Sequence, residues 1–229
     1  PHGLRGGLPL ARAQAMPEGM TEHDDEIAAP MTLALLGWSG FYEDQLLDED
    51  AGLVPMRITN VHRAKVTALS VEGSAKLELP YKHRTTDYAV GDWVLVRTDG
   101  PVARRLERRS LLRRRTEGSR TPQLISANVD TLFIVSSCND DFNPARLERY
   151  LALANEAGTR PLIVLTKIDQ IADADRFRAE AAALQRGLDV VMLNATAPEA
   201  ALALAPWCGE GETVALVGSS GVGKSTLLN

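Results

Sequence analysis

Hydrophobic and polar residues alternate in two different ways along this chain. Between residues 51 and 112 the apolar positions form short alternating stretches separated by turn residues, as is typical of half-buried strands. These predicted strands are 53–61, 64–71, 75–79, 93–97 and 102–106. From residue 123 the apolar runs are almost continuous, which is typical of parallel strands covered on both faces. These predicted strands are 131–135, 162–165, 190–193 and 213–217.

Between the strands of the second half, apolar residues recur at helical spacing. Asn143 is a typical N-cap, Pro144 favours the first helical position, and Gly158 is a typical helix end. The apolar stripe of this predicted helix consists of Leu147, Tyr150, Leu151 and Ala154. A second helix is predicted from about residue 173 to Gly187, with an apolar face of Phe177, Ala181 and Leu184. Strands that alternate with helices predict a doubly wound parallel sheet.

The two patterns together predict an α/β protein with two domains. Five short strands suit a small β-barrel of the OB type over residues 51–112. Trp93 is expected in the barrel core, and the alternative is a platform on which nucleic-acid bases stack. Residues 123–229 are expected to form the α/β domain, which is incomplete at its C-terminal end. We expect 113–122 to be a basic linker, 31–50 an N-terminal lead-in, and 1–30 a disordered or upstream extension.

Composition narrows the class of protein. The chain has 229 residues, 45% of them hydrophobic, and a net charge of −5, which argues against general nucleic-acid binding. Cys138 and Cys208 are far apart and read as free thiols of a reducing compartment, not as zinc ligands or a disulfide. No apolar run approaches the eighteen residues of a membrane span. We therefore expect a cytoplasmic protein without membrane contact, and a monomer.

Residues 214–226 contain the clearest chemical motif, V-A-L-V-G-S-S-G-V-G-K-S-T. An apolar strand leads into a loop of the form G-x-x-x-x-G-K-[ST], whose glycines let backbone N–H groups surround phosphate oxygens. Lys224 is expected to stabilise charge on the β- and γ-phosphates, and the Ser225 hydroxyl to bind the Mg²⁺ that bridges them. The predicted phosphate contacts are Gly218, Ser219, Ser220, Gly221, Val222, Gly223, Lys224, Ser225 and Thr226.

Two upstream motifs indicate which base is bound. Residues 161–169 form a predicted strand ending in T-K-I-D, in which Asp169 would accept two hydrogen bonds from guanine and Lys167 would lie along the base. Thr166 and Ile168 complete this motif. The next predicted strand ends in Asn194, Ala195 and Thr196, where the Ala195 N–H would donate to guanine O6. The phosphate loop follows both motifs, so the chain is interpreted as a circularly permuted GTPase.

The order T-K-I-D, N-A-T and G-S-S-G-V-G-K-S-T, preceded by V-G-D-W-V at 90–94 and A-N-V-D-T at 127–131, resembles one family closely. That family is the ribosome small-subunit-dependent GTPases called RsgA or YjeQ, and the resemblance covers roughly residues 33–229. It implies an OB-fold, a permuted GTPase domain that uses GTP and Mg²⁺, and late maturation of the small ribosomal subunit. It also implies a C-terminal zinc-binding domain, so Zn²⁺ is expected only beyond residue 229, together with the switch segments and the water-positioning residue.

Residues 104–120 hold eight arginines against two glutamates. Arginine favours phosphate contact because its planar fork pairs with two oxygens at once. We therefore predict that rRNA of the small subunit is contacted by Arg108, Arg109, Arg113, Arg114 and Arg115. The alternative is a solvated linker, or pairing with the acidic surplus elsewhere in the chain.

Three functions remain open from the sequence. The first is a ribosome-assembly factor whose full-length form hydrolyses GTP. In that case the present stretch, which lacks the switch segments, is expected only to bind GTP. The second is an RNA-binding OB module whose nucleotide domain senses GTP without hydrolysis. The third is an ATP-using P-loop enzyme.

Overall fold

The computed structural model describes residues 30–63, 65–98, 100–114 and 121–228. The sequence predictions for residues 1–29 and for Arg115 lie outside the described residues. The described chain contains one antiparallel sheet, one parallel sheet and a two-stranded hairpin. The predicted α/β class is therefore confirmed.

The antiparallel sheet contains the five strands that the first sequence pattern predicted. They are β1 (Val54–Val61), β2 (Val66–Ser70), β3 (Gly73–Leu77), β4 (Trp93–Val96) and β5 (Val102–Arg105). The strand order is β3-β2-β1-β4-β5, so β3 and β5 are the outer strands. Beyond the end of β3, the Val102 N–H donates to the Glu78 carbonyl at 2.9 Å. No ladder between β3 and β5 closes the sheet within the described residues.

The two faces of the antiparallel sheet have separate cores. Val94 and Val96 pack with Met56, Ile58 and other apolar residues on one face. Trp93 and Leu95 point to the opposite face, because side chains alternate along a strand. Trp93 is buried as expected, at 1% exposure, but it is not enclosed in a barrel core with Val94.

The N-terminal lead-in covers Trp93. A short helix, α1 (Gly40–Glu43), places Tyr42 against Trp93 with ring centroids 5.8 Å apart. Trp38 meets the same ring edge-on at 4.9 Å. Tyr42 is fully buried, so residues 33–42 are an integral layer of the fold. A buried aromatic cluster of this kind fixes the lead-in more firmly than area alone would.

A hairpin joins the two sheets. Its strands are β6 (Leu111–Arg114) and β7 (Gln123–Ala127), which pair antiparallel. The expected basic linker at 113–122 thus begins inside a strand. Burial of Leu112 holds this segment in place, because its side chain is 2% exposed and belongs to the core beneath the parallel sheet.

The parallel sheet has the order β10-β9-β8-β11. Its strands are β8 (Thr131–Ser137), β9 (Arg160–Thr166), β10 (Asp189–Met192) and β11 (Val214–Val217). The helices around it are α2 (Pro144–Ala157), α3 (Asp175–Ala183), α4 (Glu199–Leu204) and α5 (Lys224–Leu228). The four predicted parallel strands are confirmed, with ends that differ by two residues or fewer.

Helix α2 begins and ends at the predicted residues. The Asn143 side chain accepts the Arg146 N–H at 3.0 Å, and Pro144 occupies the first turn. Gly158 ends the helix in the left-handed conformation, with φ 76°. These caps fix where the first turn of α2 lies relative to the end of β8.

Side chains of β8 alternate between two cores. Leu132 and Ile134 pack under α2 and α3, whereas Phe133 and Val135 face the side of α4. Each of these side chains is at most 3% exposed. Full burial of such a side chain contributes about 1.5–3 kcal/mol, so β8 is the central support of this domain.

The motifs V-G-D-W-V and A-N-V-D-T meet where the two sheets join. The Ala127 N–H donates to the Val90 carbonyl at 2.8 Å, and the Asn128 side chain donates to the Gly91 carbonyl at 2.9 Å. A Cβ at Gly91 would lie 2.1 Å from the Ala127 oxygen. Both motifs therefore form the joint between the sheets.

Arg57 connects the joint to β11. Its guanidinium donates to the Leu36 carbonyl at 2.5 Å, the Asn128 carbonyl at 3.3 Å and the Thr213 hydroxyl at 2.7 Å. Burial lowers the pKa of Arg57 from its ordinary value. Three acceptors compensate for the hydration that this partly buried cation has lost. The lead-in, the joint and the start of β11 are thus held by one side chain.

Candidate nucleotide-binding site

The phosphate loop lies between β11 and α5, at the carboxyl edge of the parallel sheet. Gly218 has φ 148°, and a Cβ there would lie 2.2 Å from the Val135 carbonyl oxygen. Gly221 and Gly223 have φ 79° and 98°. Only glycine adopts these three conformations without strain, and Gly218 must also pack directly on the end of β8. The loop therefore has the backbone that a phosphate cradle needs.

Lys224 begins α5 and folds back over the loop. Its Nζ donates to the Gly218 carbonyl at 2.9 Å and to the Ser219 carbonyl at 2.5 Å. Burial lowers the pKa of Lys224 from its ordinary value. The ammonium group thus lies over the first turn of the loop, where it can reach a bound phosphate.

The base motif is attached to the phosphate loop by Thr166. Its side chain is fully buried, and the hydroxyl donates to the Val222 carbonyl at 2.7 Å. Val222 itself is 1% exposed in the core on the α4 side of the sheet. A threonine at this position of T-K-I-D therefore has a structural reason, since it holds the two loops together.

Asp169 lies in the turn that follows β9. Lys167 adopts the left-handed conformation with φ 59°, and a single 3₁₀ turn, Ile168–Gln170, follows it. Such a conformation costs about 1–2 kcal/mol for a residue other than glycine, and it occurs often at functional sites. The turn leaves the Asp169 carboxylate exposed at the carboxyl edge of the sheet.

The third loop is organised by Asn194. Its side-chain oxygen accepts hydrogen bonds from the Thr196 N–H at 3.0 Å and the Thr196 hydroxyl at 2.8 Å. A Cβ at Gly223 would lie 3.6 Å from the Ala195 Cβ, so this loop lies against the phosphate loop. The Asn194 side chain thus shapes the loop that presents Ala195.

The three loops line one cavity of about 180 Å³. The lining residues are Thr166, Lys167, Asp169, Gln170, Asn194, Ala195, Thr196, Gly221, Gly223 and Thr226. Sequence reasoning missed Gln170, which shares no motif with these residues. The structure thus brings together the base motif, the N-A-T loop and part of the phosphate loop. The other predicted site residues do not line this cavity, namely Ile168 of the base motif and Gly218, Ser219, Ser220, Val222, Lys224 and Ser225 of the phosphate loop.

Ser225 fits the predicted role toward Mg²⁺. It follows Lys224 in the first turn of α5, and its side chain is exposed. Mg²⁺ keeps several waters and takes few protein ligands when phosphates share its coordination. One serine hydroxyl beside a phosphate cradle is a suitable protein ligand for such an ion.

In the described part of the arginine segment, residues 104–114, several arginines pair with carboxylates of the same chain. Arg108 makes two contacts of 2.6 Å to the fully buried Asp92 carboxylate, and Arg109 pairs with Asp130 at 2.9 Å. Arg113 pairs with Glu156 at 3.3 Å on the surface, and Arg114 is exposed. Arg108 and Arg109 therefore have structural partners, as the pairing alternative expects.

Metal-binding clusters and membrane-spanning helices are both absent from the described residues. No group of three or more His, Cys, Asp or Glu side chains is placed to hold a metal ion. No helix in that part of the chain is both long and apolar enough to cross a membrane.

The phosphate loop and the two base loops at the edge of a permuted parallel sheet define a circularly permuted P-loop GTPase domain. The similarity of this chain to known proteins agrees with this assignment. The family model described as RsgA GTPase matches residues 105–229, and the chain belongs to this family.

Relatives match over most of the chain but over only part of their own length. The small ribosomal subunit biogenesis GTPase RsgA of Mesorhizobium japonicum is 61% identical over 88% of this chain and 59% of the relative. RsgA 2 of Vibrio vulnificus is 46% identical over 87% of this chain and 57% of the relative. The chain thus spans less than two thirds of these proteins.

Solved structures show the same fold. YjeQ from Thermotoga maritima matches with a TM-score of 0.59 and 24% identity, over 77% of this chain and 64% of that one. YloQ, described as a circularly permuted GTPase, matches with a TM-score of 0.56 and 25% identity, over 80% of this chain and 66% of that one.

Proposed function

We propose that the full-length protein binds and hydrolyses GTP during late maturation of the small ribosomal subunit. The main support is the single cavity lined by the base motif, the N-A-T loop and the phosphate loop. The names of the relatives support the ribosomal role, since they are small ribosomal subunit biogenesis GTPases.

In this proposal the two base loops recognise guanine. The Asp169 carboxylate accepts the N1–H and the exocyclic amine, and the Ala195 N–H donates to O6. Adenine offers no matching pair of donors. With adenine bound, the Asp169 carboxylate would be left without its hydrogen-bond donors. Such a loss costs a few kcal/mol of binding free energy, so GTP is preferred over ATP.

The phosphate loop supplies charge and position. Lys224 moves from the Gly218 and Ser219 carbonyls to the β- and γ-phosphates, and the Ser225 hydroxyl holds Mg²⁺. Mg²⁺ neutralises charge that develops on the phosphate oxygens. The group that orients the attacking water is proposed to lie in the part of the full-length protein that this chain does not span.

The antiparallel sheet is proposed to be an OB-type barrel that contacts rRNA. Its strand order suits this fold, and the hydrogen bond from Val102 to Glu78 brings the outer strands together. The segment with Arg113, Arg114 and Arg115 would contact phosphates, whereas Arg108 and Arg109 stay in their ion pairs. Free cysteines at 138 and 208 support a cytoplasmic location.

Competition binding and hydrolysis assays on the full-length protein test this function. We expect unlabelled GTP, but not ATP, to displace a fluorescent guanine nucleotide, and isolated small subunits to increase GTP hydrolysis. Equal displacement by ATP would support the P-loop ATP enzyme instead. Guanine selectivity without hydrolysis, with or without subunits, would support the GTP-sensing RNA-binding module.

A further inference from the structure

A second cation reaches the phosphate loop from outside its motif. Arg146 lies in the first turn of α2, and its Nη1 donates to the Ser219 hydroxyl oxygen. Ser219 is the second residue of the phosphate loop and lies 73 positions further along the chain. The contact follows from the sheet order, because β8 and β11 are neighbours and their carboxyl ends lie at the same edge.

The position of Arg146 is fixed by its backbone. Asn143 caps α2 through the Arg146 N–H, and β8, which leads to this helix, supports Gly218 directly through Val135. The first turn of α2 contains no acidic residue. Among the described residues, no carboxylate pairs with Arg146, in contrast to Arg108 and Arg109. The guanidinium therefore keeps its charge available at the loop.

Ser219 is held by two cations. Arg146 contacts its hydroxyl, and the Lys224 Nζ contacts its carbonyl at 2.5 Å. Lys224 is the group of a phosphate loop that reaches the β- and γ-phosphates. Arg146 thus converges on the same end of the loop as Lys224, the residue that reaches the terminal phosphates when a nucleotide is bound to such a loop.

We propose that Arg146 is a positioning residue of the nucleotide site that holds Ser219 and favours a γ-phosphate, so that it discriminates GTP from GDP. The proposal rests on the proposed function only in requiring that a nucleoside triphosphate occupies the phosphate loop. The expected preference is electrostatic. GTP carries one more anionic phosphate than GDP, and the Arg146 guanidinium, which has no carboxylate partner among the described residues, can stabilise that added charge.

The test is a titration of the full-length protein with fluorescent GDP and with a fluorescent non-hydrolysable GTP analogue. Arg146→Ala and Arg146→Gln are both measured, so that a folding defect in one variant leaves the other. Each should raise the Kd of the GTP analogue about tenfold or more and the Kd of GDP by less than about threefold, the scale of a lost charged hydrogen bond. Arg146→Lys should recover part of the loss, because it restores the charge without the fork.

Arg149→Ala is the matched control, since it removes the same charge one turn further along the exposed side of α2. It should leave both Kd values unchanged. Equal weakening of both nucleotides by the Arg146 variants would show a purely structural contact and overturn the proposal, as would no change in either. If the unaltered protein binds ATP as well as GTP, the proposed function fails but the same comparison with ATP and ADP still decides the role of Arg146.

Discussion

At the scale of single residues, the structure divides the arginine segment into different roles. Arg108 and Asp92 form a buried pair with two contacts of 2.6 Å, and Asp92 also accepts the Ala89 N–H at 2.8 Å. Arg113 instead pairs on the surface, where such a contact is worth about 0–1 kcal/mol. The sequence could not separate these cases, because the partner of Arg108 belongs to the strand entry at residues 90–93.

Replacing Arg108 should destabilise the fold. Arg108→Ala removes the partner of a fully buried carboxylate, and we expect the free energy of unfolding to fall by about 3–5 kcal/mol. Urea unfolding followed by circular dichroism measures this change. The control is Arg114→Ala, whose exposed side chain should alter stability by less than about 0.5 kcal/mol. Equal, small effects from both variants would contradict the structural role of Arg108.

A buried thiol gives a pH dependence. Burial raises the pKa of Cys138 from its ordinary value of 9.0 to about 11, so the folded state holds this proton more tightly than the unfolded state. Its contribution is therefore complete below pH 9 and is lost as the pH rises toward 11. We expect the stability difference between the unaltered protein and Cys138→Ala to shrink by about 2 kcal/mol between pH 8 and pH 10.5.

Other groups titrate in the same range, so the comparison needs a second variant. Cys208 is the exposed free thiol, and Cys208→Ala should show a much smaller pH-dependent difference from the unaltered protein. A stability difference for Cys138→Ala that stays constant across this pH range would be inconsistent with a buried protonated thiol.

At the scale of elements, helices and strands could be predicted from the sequence where neighbouring residues alone determine them. The ends of α2 were predicted because Asn143, Pro144 and Gly158 act locally, and β8 because seven consecutive buried residues leave a clear pattern. The hairpin strand β6 was missed, since Leu112 is its single fully buried residue and two arginines follow it. Arg146 was missed because its contact depends on the sheet order rather than on any local motif.

The joint between the sheets depends on close backbone approach at one glycine. Gly91 has φ 91°, and a Cβ there would lie 2.1 Å from the Ala127 oxygen. Gly52 has a similar φ of 83° with no atom within 4 Å of the added carbon. Gly52→Ala should cost about 1 kcal/mol from strain alone, and Gly91→Ala about 3 kcal/mol or more from strain and the clash.

Chemical denaturation of both glycine variants separates strain from packing. The matched φ values make the difference between the two variants a measure of the contact between the motifs. Similar losses of stability in Gly91→Ala and Gly52→Ala would mean that the joint can open without cost, against the geometry described above.

At the scale of the whole molecule, the permuted order still builds one site. The base loops follow β9 and β10, the phosphate loop follows β11, and β8 separates β9 from β11 in the sheet. The convergence of the three loops could be predicted from the sequence because parallel strands place their carboxyl ends at one edge. Two hydrogen bonds could not be predicted, because each joins residues that are far apart in the sequence. They are the bond from Thr166 to the phosphate loop and the bond from Arg57 of the antiparallel sheet to Thr213.

We propose that these three loops form one guanine nucleotide site, and exchange of the recognised base at Asp169 tests this most directly. Asp169→Asn presents an amide donor where xanthine has a 2-oxo group, whereas guanine has an amine there. Competitive titration of the full-length protein with GTP and XTP measures the preference. The unaltered protein should bind GTP more tightly than XTP by about 2 kcal/mol, and the variant should bind XTP more tightly than GTP. Lys224→Ala should weaken both nucleotides in parallel. If Asp169→Asn still binds GTP in preference to XTP as the unaltered protein does, Asp169 does not contact the base and the three loops do not form a guanine site of this kind.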